Sequence, residues 1–166
     1  MPFNFKGIDF SFSNIYNSTF KRATFLSPVF HFVKFYNVEF IDCTFLFANF
    51  FGSTFEKTKF VKCDFIEHNY FKNSQFSEFD LQGCFFPNSL FIDCKFDERT
   101  VISELRDTPV TPTGSSLKLD KKDLAEIYKG IKDGYREGNV TGEAISYFVK
   151  ERQSVTRYNT PSYPKK

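Results

Sequence analysis

A large apolar residue, nearly always phenylalanine, recurs at every fifth position through the first hundred residues of this chain. The series runs from Phe5 to Phe65 with Ile15 as its one non-aromatic member, slips by one residue, and resumes from Phe76 to Phe96. A helix repeats about every 3.6 residues and a strand about every 2, so neither explains a period of five. A strict short repeat is typical of a solenoid, in which each unit buries its apolar side against its neighbours.

The composition excludes several function classes. Phe contributes 25 of 166 residues while Trp is absent, so the bias is specific to one side chain. A net charge of +2 is too small to indicate a binder of nucleic acid, which is not expected as a partner. No apolar run approaches the roughly 18 residues of a membrane span, and the N-terminus lacks the pattern of a signal peptide. These features predict a cytoplasmic protein.

The repeat units resemble those of the pentapeptide-repeat family. That family's unit is a small residue, Asp or Asn, Leu or Phe, and two free positions, and it is matched by Ile8-Asp9-Phe10, Ala23-Thr24-Phe25, Ala48-Asn49-Phe50 and Cys63-Asp64-Phe65. The resemblance covers roughly residues 3 to 99. The chain departs from the family pattern at two kinds of position. Val or Pro replaces the small residue at Pro28, Val33 and Val38, and Thr, Lys or Glu replaces Asp/Asn at Thr44, Lys34 and Glu39.

The resemblance implies a mainly β fold, a right-handed quadrilateral β-helix (β-solenoid) of about five coils with four repeats per coil. Residues about twenty apart then stack, about 4.8 Å apart, as neighbouring strands do. The repeat residues fall into interior columns, one of which contains Phe5, Phe25, Phe45, Phe65 and Phe86. At the slip, either Tyr70 or Phe71 fills the interior position and the extra residue bulges at a corner.

The four cysteines all occupy the inward small-residue position, two before a central residue. Cys43, Cys63 and Cys84 lie on one face in successive coils, which raises the question of a metal site. A straight column is poor tetrahedral geometry for zinc, and a free thiol packs as a small hydrophobe. We therefore interpret the cysteines as packing residues, with no metal, no cofactor and no disulfide expected.

No catalytic constellation is recognisable in the sequence. His31 follows a central phenylalanine and is expected to point to solvent, and His68 lies at the slip without an evident acidic or nucleophilic partner. Phosphate-binding loops, H-E-x-x-H and C-x-x-C motifs are all missing. The chain is therefore not expected to be an enzyme.

Several aromatic residues break the inward rule. Phe12 and Phe32 are one coil apart, as are Tyr16 and Tyr36, and all four follow a central residue near one corner of the first two coils. Phe47 and Phe51 extend the aromatic character to neighbouring coils, as does Phe71 if Tyr70 fills the interior position at the slip. These residues either stiffen the surface, lie under the C-terminal segment, or form a contact patch for a protein partner or a second copy. The candidate partner-binding residues are Phe12, Tyr16, Phe32, Tyr36, Phe47 and Phe51.

The chain changes character after the last repeat. Residues 1–100 are assigned to the solenoid, 101–118 to a Pro- and Gly-containing connector, 119–158 to a helical hairpin that caps the solenoid, and 159–166 to a flexible tail. Asp120 is a plausible N-cap for a helix over 121–137, ended by Gly138-Asn139, and Thr141 begins a second helix to about 157. Core positions of this hairpin resemble a tetratricopeptide unit, although Lys132 stands where glycine is usual; they are Tyr128, Ile131, Tyr135, Ala144 and Phe148.

Three functions remain open. The first is a non-catalytic interaction or scaffold module. The second is a soluble regulatory domain of a membrane or effector system, because residues 124–152 resemble the segment that follows pentapeptide repeats in some bacterial membrane proteins. The third is DNA mimicry, as in pentapeptide-repeat proteins that protect DNA gyrase. Mimicry needs an acidic surface, whereas residues 1–100 hold 10 Lys/Arg against 11 Asp/Glu, a net charge of −1.

Overall fold

The structure, a computed structural model, describes residues 3–87, 89–103, 105–106, 121–142 and 146. It is a parallel β-solenoid of about five coils followed by one helix, α1 (Lys121–Glu137). The helix has the bounds predicted from the sequence, and Gly138 and Asn139 form the turn that ends it. The strands are short and follow one another in chain order. They are β1 (Phe3–Lys6), β2 (Asn14–Lys21), β3 (Ala23–Leu26), β4 (Lys34–Ile41), β5 (Thr44–Leu46), β6 (Thr54–Glu56), β7 (Lys59–Val61), β8 (Asp64–Ile66), β9 (Tyr70–Lys72), β10 (Gln75–Ser77), β11 (Asp80–Gln82), β12 (Leu90–Ile92), β13 (Lys95–Phe96) and β14 (Val101–Ser103).

The strand register confirms the twenty-residue coil. All the pairs between these strands are parallel, and Phe25 pairs with Phe5 on one side and with Phe45 on the other. Across the slip the offset is twenty-one residues, as between Phe55 and Phe76, and beyond it Phe76 pairs with Phe96 at twenty again. Within each coil the chain turns at positions of positive φ, such as Phe12, Phe32 and Phe47. Most corners therefore carry a residue in the left-handed conformation, which glycine and asparagine adopt most easily but which other residues adopt here too.

The interior consists of stacked aromatic rings. Phe45 is completely buried and stacks on Phe25 and Phe65, with ring centroids 4.9 Å away in both directions. This distance equals the spacing of adjacent strands, so backbone ladders and ring stacks reinforce one another. The four columns are Phe5/Phe25/Phe45/Phe65/Phe86, Phe10/Phe30/Phe50/Phe71/Phe91, Ile15/Phe35/Phe55/Phe76/Phe96 and Phe20/Phe40/Phe60/Leu81/Ile102.

The slip is absorbed by a buried asparagine. Phe71 takes the interior position, fully buried between Phe50 and Phe91, while Tyr70 points outward. The side-chain amide of Asn69 donates to the carbonyl oxygens of Ile66 (3.0 Å) and Glu67 (3.2 Å), and its oxygen accepts from the Ala48 N–H (2.9 Å). Asn69 thus satisfies the backbone groups that the extra residue would leave without partners.

The small inward residues are hydrogen-bond donors as well as spacers. The Ser74 hydroxyl donates to the carbonyl oxygen of Phe50 (2.7 Å), and the Thr100 hydroxyl donates to that of Phe76 (3.3 Å). The thiols repeat the pattern: Cys63 donates to the Phe40 carbonyl at 3.3 Å. Each donor therefore ties its coil to the carbonyl oxygen of a central phenylalanine in the preceding coil.

One outer side of the solenoid is buried rather than exposed. Asp64, Ile66 and Phe85 lie at outward positions, yet they are 1%, 3% and 0% exposed. The Arg106 guanidinium reaches Asp64 (2.6 Å), and the Arg106 N–H donates to the Cys84 carbonyl (2.8 Å). This bond, together with the pairing of β14 with β11, continues the ladder past residue 100, where the sequence places the start of a connector.

Helix α1 packs on β12 and β13 through a line of glycines. Modelling a Cβ on Gly130 would place it 2.6 Å from the carbonyl oxygen of Phe91, and one on Gly134 would lie 2.7 Å from the Phe96 ring. The helix can therefore approach the last coil closely only because these positions lack side chains. Ile127, Ile131 and Tyr135 are buried in the same contact, and the Tyr135 hydroxyl donates to the Thr100 carbonyl (2.8 Å). Most of the predicted second helix lies outside the described residues and stays a prediction.

Candidate functional site: an aromatic surface on the first two coils

Two pairs of outward aromatic residues stand on the first two coils. Phe12 and Phe32 occupy equivalent corners at φ 62° and 55°, and their rings stack at 5.4 Å with an angle of 15°. Tyr16 and Tyr36 are partners in the register of β2 and β4, with ring centroids 6.2 Å apart at 73°. We call these four residues the lateral aromatic surface.

The two pairs lie at opposite margins of one side of the solenoid. The chain turns at Phe12 and Phe32, runs through Asn14 and Lys34 along the side, and reaches the tyrosines just before the next corner. The exposed fractions are 77% for Phe12, 48% for Phe32 and 51% for Tyr16, and Tyr36 is half-buried. The surface therefore has aromatic margins on either side of a polar centre that contains one lysine.

The Phe32 ring rests on a glycine. A Cβ on Gly52, the equivalent corner of the next coil, would lie 2.5 Å from a ring carbon of Phe32. Phe51 meets the Phe32 ring edge-on at 5.4 Å and 90°, and it is half-buried. Phe51 thus supports the surface more than it extends it. Phe47 is 49% exposed but lies at a different corner, between the sides centred on Phe45 and Phe50.

Tyr36 is held in place by its neighbour one coil further on. The Lys57 ammonium lies 5.3 Å from the centroid of the Tyr36 ring and donates to its hydroxyl at 3.3 Å. This hydrogen bond raises the pKa of Lys57, because the bond favours the charged ammonium. The adjoining corner is fixed by the Asn37 amide, which donates to the Asn17 side-chain oxygen at 2.8 Å.

The histidines and the cysteines contribute no catalytic geometry to this surface. His31, expected in solvent, is half-buried: its ring meets Phe51 edge-on at 6.0 Å, and its buried Nε2 has no hydrogen-bond partner among the described residues. The expectation fails because the large Phe51 ring of the next coil covers that position. All four cysteines are buried thiols; burial raises the pKa of Cys63 well above its usual value and that of Cys94 to about 12. Burial thus keeps the Cys63 and Cys94 thiols protonated and unreactive at neutral pH, whereas the hydrogen bond with Cys63 lowers the pKa of Cys43.

Within the described part of the chain, no group of three or more His, Cys, Asp or Glu residues is arranged to hold a metal ion. Among the same residues, no helix is both long enough and apolar enough to cross a membrane. The chemistry available at the lateral aromatic surface is therefore the binding of apolar or aromatic groups flanked by amides and a lysine.

The five-residue repeat, four repeats per coil and the parallel register define the fold of the chain as a parallel β-solenoid built from five-residue units. Its sequence matches no family model and no curated protein. Its fold is similar to that of the pentapeptide-repeat protein Rfr23 from the cyanobacterium Cyanothece 51142, with 9% identity, a TM-score of 0.44, and coverage of 61% of this chain and 88% of Rfr23.

Two trypsin-treated variants of QnrB1, a plasmid-mediated fluoroquinolone resistance protein, are also similar in structure. The first is 19% identical with a TM-score of 0.38, and the match covers 60% of this chain and 53% of that one. The second is 18% identical with a TM-score of 0.38, and the match covers 65% of this chain and 57% of that one. The matched region thus spans little more than half of QnrB1.

Proposed function

We propose that this protein is a non-catalytic interaction or scaffold module that binds a protein partner through the lateral aromatic surface. The observation that carries the proposal is the exposure of three large rings in two register-matched pairs. Clustered aromatic rings with a polar centre are typical of the anchor residues of protein interfaces. Phe47 and Phe51, the remaining candidates, contribute at the margin and as support.

The rigidity of the surface supports a binding role. Phe12 and Phe32 stand on corners whose N–H groups donate at 2.8 Å to the carbonyl oxygens of His31 and Phe51 in the next coil. The rings are therefore presented on a fixed ladder, and little side-chain or loop entropy is lost when a partner binds. The partner we expect has an apolar segment that lies along the side of the solenoid, with an acidic or carbonyl group facing Lys34.

Capture from the native host tests this proposal. The bait is the chain with Phe12, Tyr16, Phe32 and Tyr36 replaced by serine, compared with the wild type. A matched control replaces Arg22, Asp42 and Lys62, a corner column at φ 52°, so that it introduces serine at the same backbone geometry. We expect the partner to co-purify with the wild type and the control but not with the aromatic variant. Equal capture by all three baits would overturn the proposal.

A soluble regulatory domain of a membrane or effector system is the second candidate, and it is motivated by the C-terminal segment. It predicts that the partner captured is a membrane or secretion component. A cytoplasmic location is part of both proposals, and buried free cysteines whose thiols donate to carbonyl oxygens suit a reducing compartment.

Mimicry of DNA toward gyrase is the third candidate, and the arrangement of charge weighs against it. Acidic side chains of the solenoid lie next to basic ones: Lys59 is 3.8 Å from Glu39, Arg99 is 2.8 Å from Glu78, and Arg106 covers Asp64. A duplex mimic needs continuous rows of negative charge. We expect no inhibition of gyrase supercoiling by excess protein, and inhibition at equimolar protein would restore this candidate.

A further inference from the structure

The two ends of the solenoid differ in how well the interior columns are covered. At the C-terminal end, beside α1, Phe86, Phe91 and Phe96 are 0%, 6% and 1% exposed. At the N-terminal end the first members of all four columns are only half-buried: Phe5, Phe10, Ile15 and Phe20. Two rings at the rim are more exposed still, Phe3 at 70% and Phe12 at 77%. The N-terminal end therefore presents a square of apolar surface.

The backbone at this end also has an open edge. Within the described chain, β1 pairs only with β3, and β2 pairs only with β4, so one side of each strand has no ladder. Open strand edges next to apolar surface favour pairing with another strand. A suitable partner must match a four-sided frame and its apolar centre at once, and a second copy of this end has both.

We propose that the N-terminal end binds the same end of a second copy, forming a head-to-head dimer. The two-fold axis lies perpendicular to the solenoid axis and passes through the corner at Gly7 and Ile8. Both copies keep the same handedness, but seen along the solenoid axis from one direction their chains wind in opposite senses. All strands that face each other across the interface then run antiparallel, the pairing that suits two directly apposed edges.

The chosen axis makes the first coil complementary to itself. Residues equidistant from the corner face one another across the interface, and each such pair occurs twice. The two most exposed rings, Phe3 and Phe12, become partners. So do the exposed Lys6 and Asp9, which carry opposite charges. The full set is Phe3 with Phe12, Asn4 with Ser11, Phe5 with Phe10, Lys6 with Asp9, and Ile15 with Phe20.

Another orientation is less complementary. An axis through the side centred on Phe5 would place Asp9 opposite Lys21, but it would leave Phe3 opposite Gly7, which has no side chain. Only the corner axis pairs both exposed rings and both charges. Lys21, an exposed lysine on the same coil, is therefore a matched control for Lys6.

The area is sufficient for a specific contact. A large aromatic side chain carries about 150–250 Å² of surface. At 70% and 77% exposure, Phe3 and Phe12 leave on the order of 300 Å² per copy in water. With the half-buried column ends added, a dimer would bury roughly 1,000 Å² in total, which is the lower range of specific interfaces.

Sedimentation velocity of the full-length chain over a concentration series at low salt tests the proposal. We expect a concentration-dependent dimer. Lys6→Glu and Asp9→Lys should each weaken it about tenfold or more, because each reversal creates two like-charge contacts. The double variant Lys6→Glu/Asp9→Lys should restore dimerisation, and Lys21→Glu should leave it intact. Far-UV circular dichroism on each variant verifies that the chain is folded.

A monomer at all concentrations would overturn the proposal. So would a dimer that both single reversals leave intact, or one that Lys21→Glu weakens as much as Lys6→Glu does. The two proposals share Phe12, which belongs to the lateral aromatic surface and faces Phe3 in the dimer, but the charge reversals leave all four rings of that surface in place. Loss of the dimer with capture retained, or the reverse, distinguishes failure of one proposal from failure of the other.

Discussion

Removing one ring from the middle of a column should be far more costly than removing its first ring. Phe45 is 0% exposed, stacks at 4.9 Å on Phe25 and Phe65, and meets Phe40 edge-on at 5.4 Å. Phe45→Ala loses these contacts and leaves a cavity that the backbone ladders hold open. We expect it to lower the free energy of unfolding by about 3–5 kcal/mol. Phe5→Ala, at a half-buried position with one stacked ring, should cost about half of that.

Urea titrations followed by far-UV circular dichroism measure both costs, and Phe45→Leu is the control for shape. Leucine keeps the position apolar, so its cost should fall below that of Phe45→Ala, because only part of the ring volume is lost. Equal costs for Phe5→Ala and Phe45→Ala would refute the reasoning, since a solenoid buries its interior rings from both sides and its first rings from one. A cost below about 1 kcal/mol for Phe45→Ala would refute it as well.

Three further predictions test the corners and the end of the solenoid. Gly130→Ala should destabilise the chain because the added Cβ meets the Phe91 carbonyl, although alanine favours a helix by about 1 kcal/mol over glycine. Thermal melts measure this, with Gly142→Ala as the control, since a Cβ there would meet no described atom within 4 Å. Asn69→Leu should cost about 1–3 kcal/mol in urea, since backbone groups at the slip lose their partners. For Asp97, burial raises the pKa, but hydrogen bonds from Thr100, Ser77 and Glu78 outweigh it and hold the pKa below normal. The wild type should therefore be more stable than Asp97→Asn above about pH 4. This difference should disappear as the pH falls through the lowered pKa of Asp97, and a difference that persisted in acid would contradict the prediction.

The sequence predicted the interior because the resemblance to pentapeptide repeats implies a twenty-residue coil, which places every fifth residue inside. Within that coil, spacing places the columns and the inward cysteines, and the helical period together with the stop at Gly138 and Asn139 gives the C-terminal bound of α1. Spacing assigns each residue a direction but not the coverage of the outer side. Asp64 is outward by position, and it is buried where the Arg106 guanidinium, from more than forty residues later in the chain, contacts it.

The glycines of α1 illustrate a second limit. Gly130 and Gly134 lie four residues apart on one helix face, a pattern that could have indicated close packing before the structure was known. Which backbone they meet depends on how the helix lies on β12 and β13, and only the structure provides that. For the candidate site, the sequence located the exposed rings, but the supporting role of Phe51 depends on the rotation of the Phe32 ring over Gly52.

Photocrosslinking in the native host tests the central functional proposal most directly. Lys34 lies between the aromatic margins of the lateral surface, and Lys62 lies at the corner of another side. Replacing each in turn with p-benzoylphenylalanine places a short-range crosslinker at the proposed interface or away from it. We expect position 34 to crosslink to one protein partner that position 62 does not reach. Identical crosslinks at the two positions, or a partner crosslinked only from position 62, would contradict a binding role for this surface.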